Sequence, residues 1–268
     1  MLFSLDIDLE YTMLIVNVLL LALSLFICEA SVVDNLPKCS IKDNECLKTL
    51  YQNVIRDIGK TGIEELNIPP IDPIKIANFS VNVLDALTLT LTDGVAKGIR
   101  NCVVNKFTFD LDKRTETQDI TCELLTIKGH FLISGSSPSI QAILGSNQIN
   151  GQGKAKVKLE KLKMSFTILS YPVKKDDGEV YIIRENFQYK YDIGKATFIT
   201  EKVFIGKDDI SQLVTNYLNN NWKTVIKSFG KVFMDKAMDL YFSLNQNFFN
   251  GVPTNKYIIE DLSPYAKN

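Results

Sequence analysis

An apolar pattern with helical spacing occupies the C-terminal part of the chain and restricts the folds open to it. Apolar residues recur every three or four positions from Ile210 to Phe248, which predicts a helix of about 39 residues and roughly 58 Å. Lys223, Lys227 and Lys231 recur on the opposite face. The pattern lacks heptad regularity and is too polar for a membrane span, so a coiled coil and a membrane helix are both disfavoured. An apolar stripe of this length needs a long surface to cover it.

Strand patterns fill the region between about 74 and 205 and can supply that surface. Leu87–Thr92 alternates strictly between apolar and polar residues, as does Phe187–Ile193, and residues 173–179 have the pattern of a hairpin turn. Between residues 154 and 168 the apolar phase changes at Glu160–Lys161, which predicts a β-bulge that bends the strand. Long bent strands curl a sheet. We therefore predict an α+β fold in which a strongly curved antiparallel β-sheet wraps a long C-terminal helix.

The segment before the strands predicts a shorter helix and a rigid connection. Apolar residues at helical spacing indicate a helix over residues 43–59, which Gly59 and Gly62 end. Ser40–Asp43 has the pattern of a capping box at the start of this helix. The proline-rich segment 68–73 then predicts an extended connector.

An uncharged apolar run at residues 14–27 is typical of a secretory signal. Its length suits a signal peptide better than a membrane span, and small residues follow it at Ala30-Ser31. Residues 1–30 are therefore predicted to be a signal peptide, with Met13 an alternative start because the residues before it include acids and no base. Residues 31–268 are predicted to be a single secreted, extracellular domain without a stable membrane anchor, large enough to bury roughly 70 % of its unfolded surface.

The charge and histidine counts argue against several classes of function. The chain has 30 basic and 31 acidic residues, and removal of residues 1–30 leaves 30 basic and 27 acidic residues (31 less four). This balance gives no basic patch for nucleic acid. The single histidine, His130, excludes His-pair metal sites, and no second catalytic group accompanies it at a fixed spacing. We expect no catalytic residue, no metal and no cofactor.

Four cysteines remain once Cys28 is removed with the signal peptide. An even number in an exported chain predicts two disulfides with three possible connectivities. Cys39 and Cys46 bracket the start of the first predicted helix, and Cys102 and Cys122 lie equidistant from the polar turn between them. Residues equidistant from a hairpin turn face each other across the ladder. We predict the pairs Cys39–Cys46 and Cys102–Cys122, with two pairs of buried free thiols as the alternative.

A series of short motifs occurs in a fixed order along residues 31–268. It comprises the pair Cys39 and Cys46, Gly62-Ile63, Ile68–Pro73, Gly206-Lys207-Asp208, Leu218–Trp222, Asn247-Phe248-Phe249 and Pro253. In this order the motifs resemble the insect juvenile hormone-binding protein and takeout family of secreted carriers of hydrophobic ligands. The most specific of them is the segment Gly206–Trp222.

This resemblance implies a long helix in a curled sheet that encloses an apolar tunnel. It also implies a secreted, non-enzymatic carrier in insect haemolymph, whose partner is a terpenoid hormone, a fatty-acid-like molecule or another lipid. His130 departs from the family, which commonly has tyrosine there, and hormone-binding members usually place the second disulfide later. The resemblance therefore indicates a carrier in general, and we expect a monomer. An extracellular interaction or signalling protein on the same scaffold, without a bound ligand, is the alternative.

Three groups of residues are candidates for sites. Four side chains on the C-terminal helix either line the tunnel or belong to the core, and we predict that they contribute to the tunnel wall: Trp222, Val225, Phe229 and Phe233. Asn78-Phe79-Ser80 is a glycosylation sequon, which makes Asn78 a candidate glycan site. The lysines between 154 and 163 could contact acidic lipid or a receptor, although a solvated strand face is the expected interpretation.

Overall fold

Long antiparallel strands and a long helical segment make up most of the structure. The computed structural model describes residues 32–83, 87–135, 149–205 and 208–266. Residue contacts divide the chain into two units, Met1–Asn35 and Leu36–Asn268, and the elements below belong to the second. The predicted signal peptide, the alternative start at Met13 and the predicted first mature residue, Ser31, lie outside the described residues. No described helix is long and apolar enough to cross a membrane.

The elements of the second unit follow the order of the predicted pattern. The helices are α1 (Asn44–Thr61), α2 (Ser211–Asn220) and α3 (Trp222–Gly251). The strands are β1 (Ile74–Val83), β2 (Leu87–Lys97), β3 (Val103–Asp110), β4 (Thr115–Gly135), β5 (Ile149–Lys174), β6 (Val180–Glu201), β7 (Phe204–Ile205) and β8 (Asp208–Asp209). Short 3-10 helices lie at Glu64–Leu66, Ile99–Asn101, Thr254–Lys256 and Ser263–Tyr265.

Six of the strands form one antiparallel sheet in the order β1-β2-β4-β5-β6, with β3 paired to the first part of β4. The outer strands β1 and β6 do not pair with each other among the described residues, so the sheet is not closed into a barrel. The backbone of α3 approaches β6 and β1 most closely, which places the helix across the open side of the sheet. The predicted α+β architecture, a curved antiparallel sheet with a C-terminal helix, is confirmed.

A kink crosses the three longest strands where the sequence shows its phase change. Lys161 adopts a left-handed conformation with φ 53°, and the buried face passes from Leu159 to Leu162 across it. The pairing of β5 with β4 and β6 keeps one register on both sides of Lys161. The predicted β-bulge is therefore wrong, because no residue is inserted. The neighbouring strands change phase in step instead, so that one face stays buried while the sheet bends.

The kink divides the sheet into two halves. We call β1, β2 and residues 124–135, 149–160 and 195–201 the distal half, and the remainder the proximal half. In the distal half, β2 has one extra residue between Leu91 and Asp93 relative to β4, which is a true bulge. The proximal half carries α1, both disulfides and most of the fully buried residues, among them Leu162, Ile168 and Ile258.

The C-terminal helical segment is interrupted once, at Asn221, so the prediction of one continuous helix is wrong. Three successive asparagines, residues 219–221, occupy this point, and asparagine is a weak helix former. Asn219 has a second role, because its side-chain amide accepts from the backbone N–H of Phe198 and donates to its carbonyl, both at 2.8 Å. The hydroxyl of Thr215 likewise accepts from the N–H of Thr200 at 2.9 Å. Side chains of α2 thus supply hydrogen-bond partners for backbone groups on the otherwise unpaired edge of β6.

The ends of α1 differ from the prediction in two respects. The helix continues through Gly59 to Thr61 and ends at Gly62, whose φ of 72° suits the glycine that follows a helix. Asp43 is the N-terminal cap, since its Oδ1 accepts from the N–H of Cys46 at 3.0 Å. Ser40 donates instead to the carboxylate of Glu260, so it ties the start of the domain to its C-terminal segment and does not form the predicted capping box.

The structure joins Cys39 to Cys46 and Cys102 to Cys122. The second bond lies one position beyond the pair Val103–Thr121 on the ladder between β3 and β4. The geometry follows the hairpin argument made from the sequence, because the turn between these strands is centred midway between the two cysteines.

Replacing Cys102 and Cys122 together by alanine should lower the free energy of unfolding by about 3 kcal/mol. The bond closes a loop of 20 residues, and the lost constraint on the unfolded chain has roughly this size. Urea unfolding under non-reducing conditions measures the change. The matched control is Cys39→Ala with Cys46→Ala, which opens a loop of only seven residues and should cost less. An equal loss in both variants would contradict the loop-length argument.

Candidate functional site

The inner face of the distal half is apolar, with small residues along its middle. One row across β1, β2 and β4 consists of three large apolar residues that lie opposite one another: Phe79, Leu91 and Phe131. The next row on this face, across β2, β4 and β5, consists of small residues: Gly94, Gly129 and Ala155. A Cβ on Gly129 would lie 2.2 Å from the carbonyl oxygen of Asp93, so the backbone of β2 approaches too closely for any other residue. A Cβ on Gly94 would likewise lie 2.3 Å from the side chain of Leu91, so small residues let the neighbouring groups pack closely here.

The helical segment that faces this half is loosely packed compared with its C-terminal continuation. No residue of α2 is buried, and the first buried residue of α3 is Gly230. Beyond that point α3 is anchored in the proximal core by large buried side chains: Met234, Met238, Phe242, Phe248 and Phe249. The helical segment therefore has a tightly packed half, over the proximal sheet, and a half-buried apolar half, over the distal sheet.

Trp222, Val225 and Phe229 lie in the half-buried part of the helix, and the fourth predicted ligand-binding residue, Phe233, lies three residues beyond Gly230. Trp222, Val225, Phe229 and Phe233 are all partly exposed. The ring of Phe233 stacks on Phe79 of β1, with centroids 6.4 Å apart and planes 13° apart, so this face of the helix points toward the inner side of the sheet. The amine of Lys223 lies 5.8 Å from the centre of the Trp222 ring. These four side chains do not line either of the two cavities described next.

One cavity lies in the proximal half, between α1, the end of α3 and the residues that follow α3. It has a volume of about 40 Å³ and a mostly apolar lining that includes Leu47, Phe107 and Phe249, with the polar groups of Tyr51, Glu116 and Tyr257 at its wall. This volume suits a few water molecules. The hydroxyl of Tyr257 is buried without a partner among the described residues. The second cavity is an open, polar groove of about 410 Å³ between α1 and β3, lined by Lys48, Arg56 and Asn105 among others.

A buried polar network borders the first cavity. Glu116 and Arg184 form an ion pair with both side chains fully buried, in which Arg184 Nε donates to Glu116 Oε2 at 2.9 Å. Gln118 donates to the same carboxylate, and Arg184 Nη1 donates to Asn245 Oδ1 at 3.0 Å. The guanidinium also lies 3.6 Å from the centre of the Phe249 ring. The network thereby joins β4, β6 and α3 in the proximal half.

Two tyrosines extend this network to α1. The hydroxyls of Tyr51 and Tyr241 lie 2.6 Å apart, and Tyr241 donates to Gln118 Oε1 at 2.7 Å. Burial raises the pKa of both phenols, and it raises that of Tyr241 well above its usual value. Burial disfavours the charged form of Arg184, but the Glu116 carboxylate outweighs this effect and the pKa of Arg184 is raised overall. The raised pKa values keep both phenols neutral and Arg184 charged at neutral pH, and the network fixes the proximal half.

The sequence reasoning did not find this network, although a partial signal was present. Glu116 and Gln118 lie in the same alternating phase as Ile120 and Cys122, which the structure buries. Two polar side chains at inward positions of a strand require polar partners. The identity of the main partner, Arg184, is not encoded in any local pattern.

His130 lies outside these sites, on the outer face of the sheet. Its Nδ1 is 2.8 Å from Asp93 Oδ1, and hydrogen bonds from His130 lower the pKa of Asp93. Both side chains are more than half exposed, so the pair lacks the enclosure that acid–base chemistry uses. Within the described part of the chain, no three acidic, histidine or cysteine residues are arranged to hold a metal ion.

Comparison with known proteins places the chain in a family. Residues 17–259 match the family model described as haemolymph juvenile hormone binding protein. The chain belongs to this family. A search of the curated proteins found no match.

A solved structure shows the same fold as this member of the haemolymph juvenile hormone binding protein family. The crystal structure of Takeout 1 from Epiphyas postvittana matches with a TM-score of 0.71 and 24% sequence identity, over 83% of this chain and 99% of that one. A structure of lipopolysaccharide binding protein matches with a TM-score of 0.39 and 11% identity, over 77% of this chain and 38% of that one, a likeness too weak to support any inference.

Proposed function

We propose that this protein is a secreted, non-enzymatic carrier that binds a hydrophobic small molecule between the distal half of the sheet and the half-buried part of the helical segment. The observation that carries the proposal is the meeting of two apolar surfaces whose side chains are partly exposed. One is the small-residue inner face around Gly129, and the other is the helix face that contains Phe229. In a close-packed protein such surfaces are normally filled by protein side chains. A terpenoid, a fatty acid or a similar lipid would fill them here.

The energetics of apolar burial favour such a complex without any polar chemistry. A ligand of about fifteen carbons gains roughly 12 kcal/mol on full burial at 0.8 kcal/mol per CH₂. Association costs on the order of 4–15 kcal/mol. The net affinity then depends on how far the site is preformed, and the anchoring of α3 in the proximal half fixes one side of it. A binding role is also in keeping with the family, which is named for a hormone-binding protein of the haemolymph.

Three features support an extracellular location as part of this proposal. The apolar run at residues 14–27 has the pattern of a signal peptide. Two disulfides are typical of oxidising compartments. Asn78, in the sequon on β1, is exposed and could accept a glycan. The mature chain is proposed to be a monomer that begins near Ser31.

Organic extraction of the protein purified from expression medium tests the proposal. We expect mass spectrometry of the extract to show a bound lipid, and the delipidated protein to take up a fluorescent fatty acid in a saturable manner. The control is the same protein unfolded in urea, which should not take up the probe. A protein that yields no lipid and takes up no apolar probe would support the alternative, an interaction protein on the same scaffold, and would rule out the carrier.

A further inference from the structure

The outer face of the distal half carries an array of lysines that the proposed ligand site does not use. The ladder registers place them side by side on β1, β2, β4 and β5, because residues directly opposite each other share a face. Lys75 lies opposite Val95 of β2, and Lys97 is on the same face of β2 two residues further on. Val95 in turn lies opposite Lys128 of β4, which lies opposite Lys156 of β5. The array, which we call the lysine face, consists of Lys75, Lys97, Lys128, Lys154, Lys156 and Lys158.

The positive charge of the lysine face is not neutralised within the described part of the chain. None of its six lysines forms an ion pair with another described residue, whereas Lys48, Lys113 and Lys231 elsewhere each do. Three acidic residues share the face. Asp93 is engaged by His130, Glu201 lies opposite Lys154 at one edge, and Glu160 follows Lys158 in the same phase of β5, opposite Lys195. Six lysines against three acids form a local excess of positive charge on a protein whose overall charge is nearly balanced.

Exposed apolar side chains lie among these lysines. Leu132, two residues from His130 on β4, is 45% exposed, and Ile199, opposite Lys156 on β6, is 37% exposed. A broad, two-dimensional array of cations with apolar side chains between them suits a lipid surface, where the cations meet anionic headgroups and the apolar groups enter the interface. A sulfated polysaccharide would use the cations alone.

We propose that the lysine face docks this protein onto anionic phospholipid surfaces. Because side chains alternate across a strand, the docking face and the proposed ligand-binding face are the two sides of the same strands. Docking would therefore hold the proposed ligand site one sheet thickness from the lipid surface. An apolar ligand could be taken from that surface or delivered to it. The docking surface itself does not depend on a ligand being bound.

Vesicle flotation with the full secreted chain tests the proposal. We expect binding to phosphatidylcholine vesicles that contain phosphatidylserine, weaker binding at high salt, and no binding to phosphatidylcholine alone. A variant with Lys154→Glu, Lys156→Glu and Lys158→Glu should bind about a hundredfold more weakly or worse, since each lysine near an anionic surface is worth roughly a fivefold change in affinity. Binding of the parent to heparin but not to the anionic vesicles would overturn the proposal in favour of a polysaccharide.

A second triple variant separates the lysine face from net charge. Lys60→Glu, Lys227→Glu and Lys236→Glu changes three exposed lysines on α1 and α3 by the same amount, and it should bind anionic vesicles nearly as the parent does. Equal loss in both triple variants would contradict a specific docking face. Uptake of the fluorescent fatty acid is measured in parallel, and we expect both variants to retain it. Vesicle binding without fatty-acid uptake by the parent would refute the carrier function and leave the docking surface standing.

Discussion

Replacing Arg184 by methionine is expected to lower the free energy of unfolding by about 3–5 kcal/mol. Arg184 is 1% exposed and Glu116 is fully buried, so the change leaves a carboxylate without its counter-ion in the interior. It also removes a donor to Asn245. Methionine has a similar length and no charge, which keeps the loss of packing small. Urea unfolding followed by circular dichroism measures the change.

Two further variants test whether the unpaired charge of Glu116 causes the loss of stability in Arg184→Met. Adding Glu116→Gln to Arg184→Met removes the stranded charge, so the double variant should be more stable than Arg184→Met alone. Lys231→Met breaks the exposed ion pair with Asp235 and should cost less than about 1 kcal/mol. If Arg184→Met were no more harmful than Lys231→Met, the buried network could not be a main support of the proximal half.

The local elements were largely predictable because their signals lie within a few residues. Strict alternation marked β2 and the middle of β6, and the equal distance of Cys102 and Cys122 from their turn matched their positions on the hairpin. The phase change at Lys161 was also visible. Its mechanism was not, because a single strand cannot show whether its neighbours shift in register or change phase in step with it.

Features that depend on distant partners could not be read from the sequence. Glu116 and Arg184 are 68 positions apart and meet only because β4 and β6 flank β5 in the sheet. The break at Asn221 reflects in part the use of Asn219 to satisfy the edge of β6, which periodicity does not report. The same limit applies to the candidate site. The apolar stripe predicted which helix face turns inward, but the sequence pattern of the stripe is the same whether protein side chains or a bound ligand cover it.

The substitution Phe229→Asp tests whether a ligand or protein side chains cover this helix face. It is expected to weaken uptake of a fluorescent fatty acid at least a hundredfold. Phe229 lies in the half-buried part of α3, four residues before Phe233, whose ring stacks on Phe79 of the sheet. If a ligand covers Phe229, the new carboxylate must lose its hydration against an apolar chain that offers no partner, which costs several kcal/mol. Phe229→Ala should weaken binding only about tenfold, since it removes apolar contact without adding charge.

The matched control places the same charge on the other side of the same helix. Thr224 is exposed and lies five residues before Phe229, which places it about 140° round the helix, and Thr224→Asp should leave uptake close to that of the parent. Circular dichroism and urea unfolding must show that each variant is folded, because a carboxylate in a packed core would unfold the protein instead. A folded Phe229→Asp that binds as well as Thr224→Asp would show that Phe229 does not contact the ligand. A Phe229→Asp chain that cannot fold, beside a folded Phe229→Ala with parental uptake, would assign this part of α3 to the protein core.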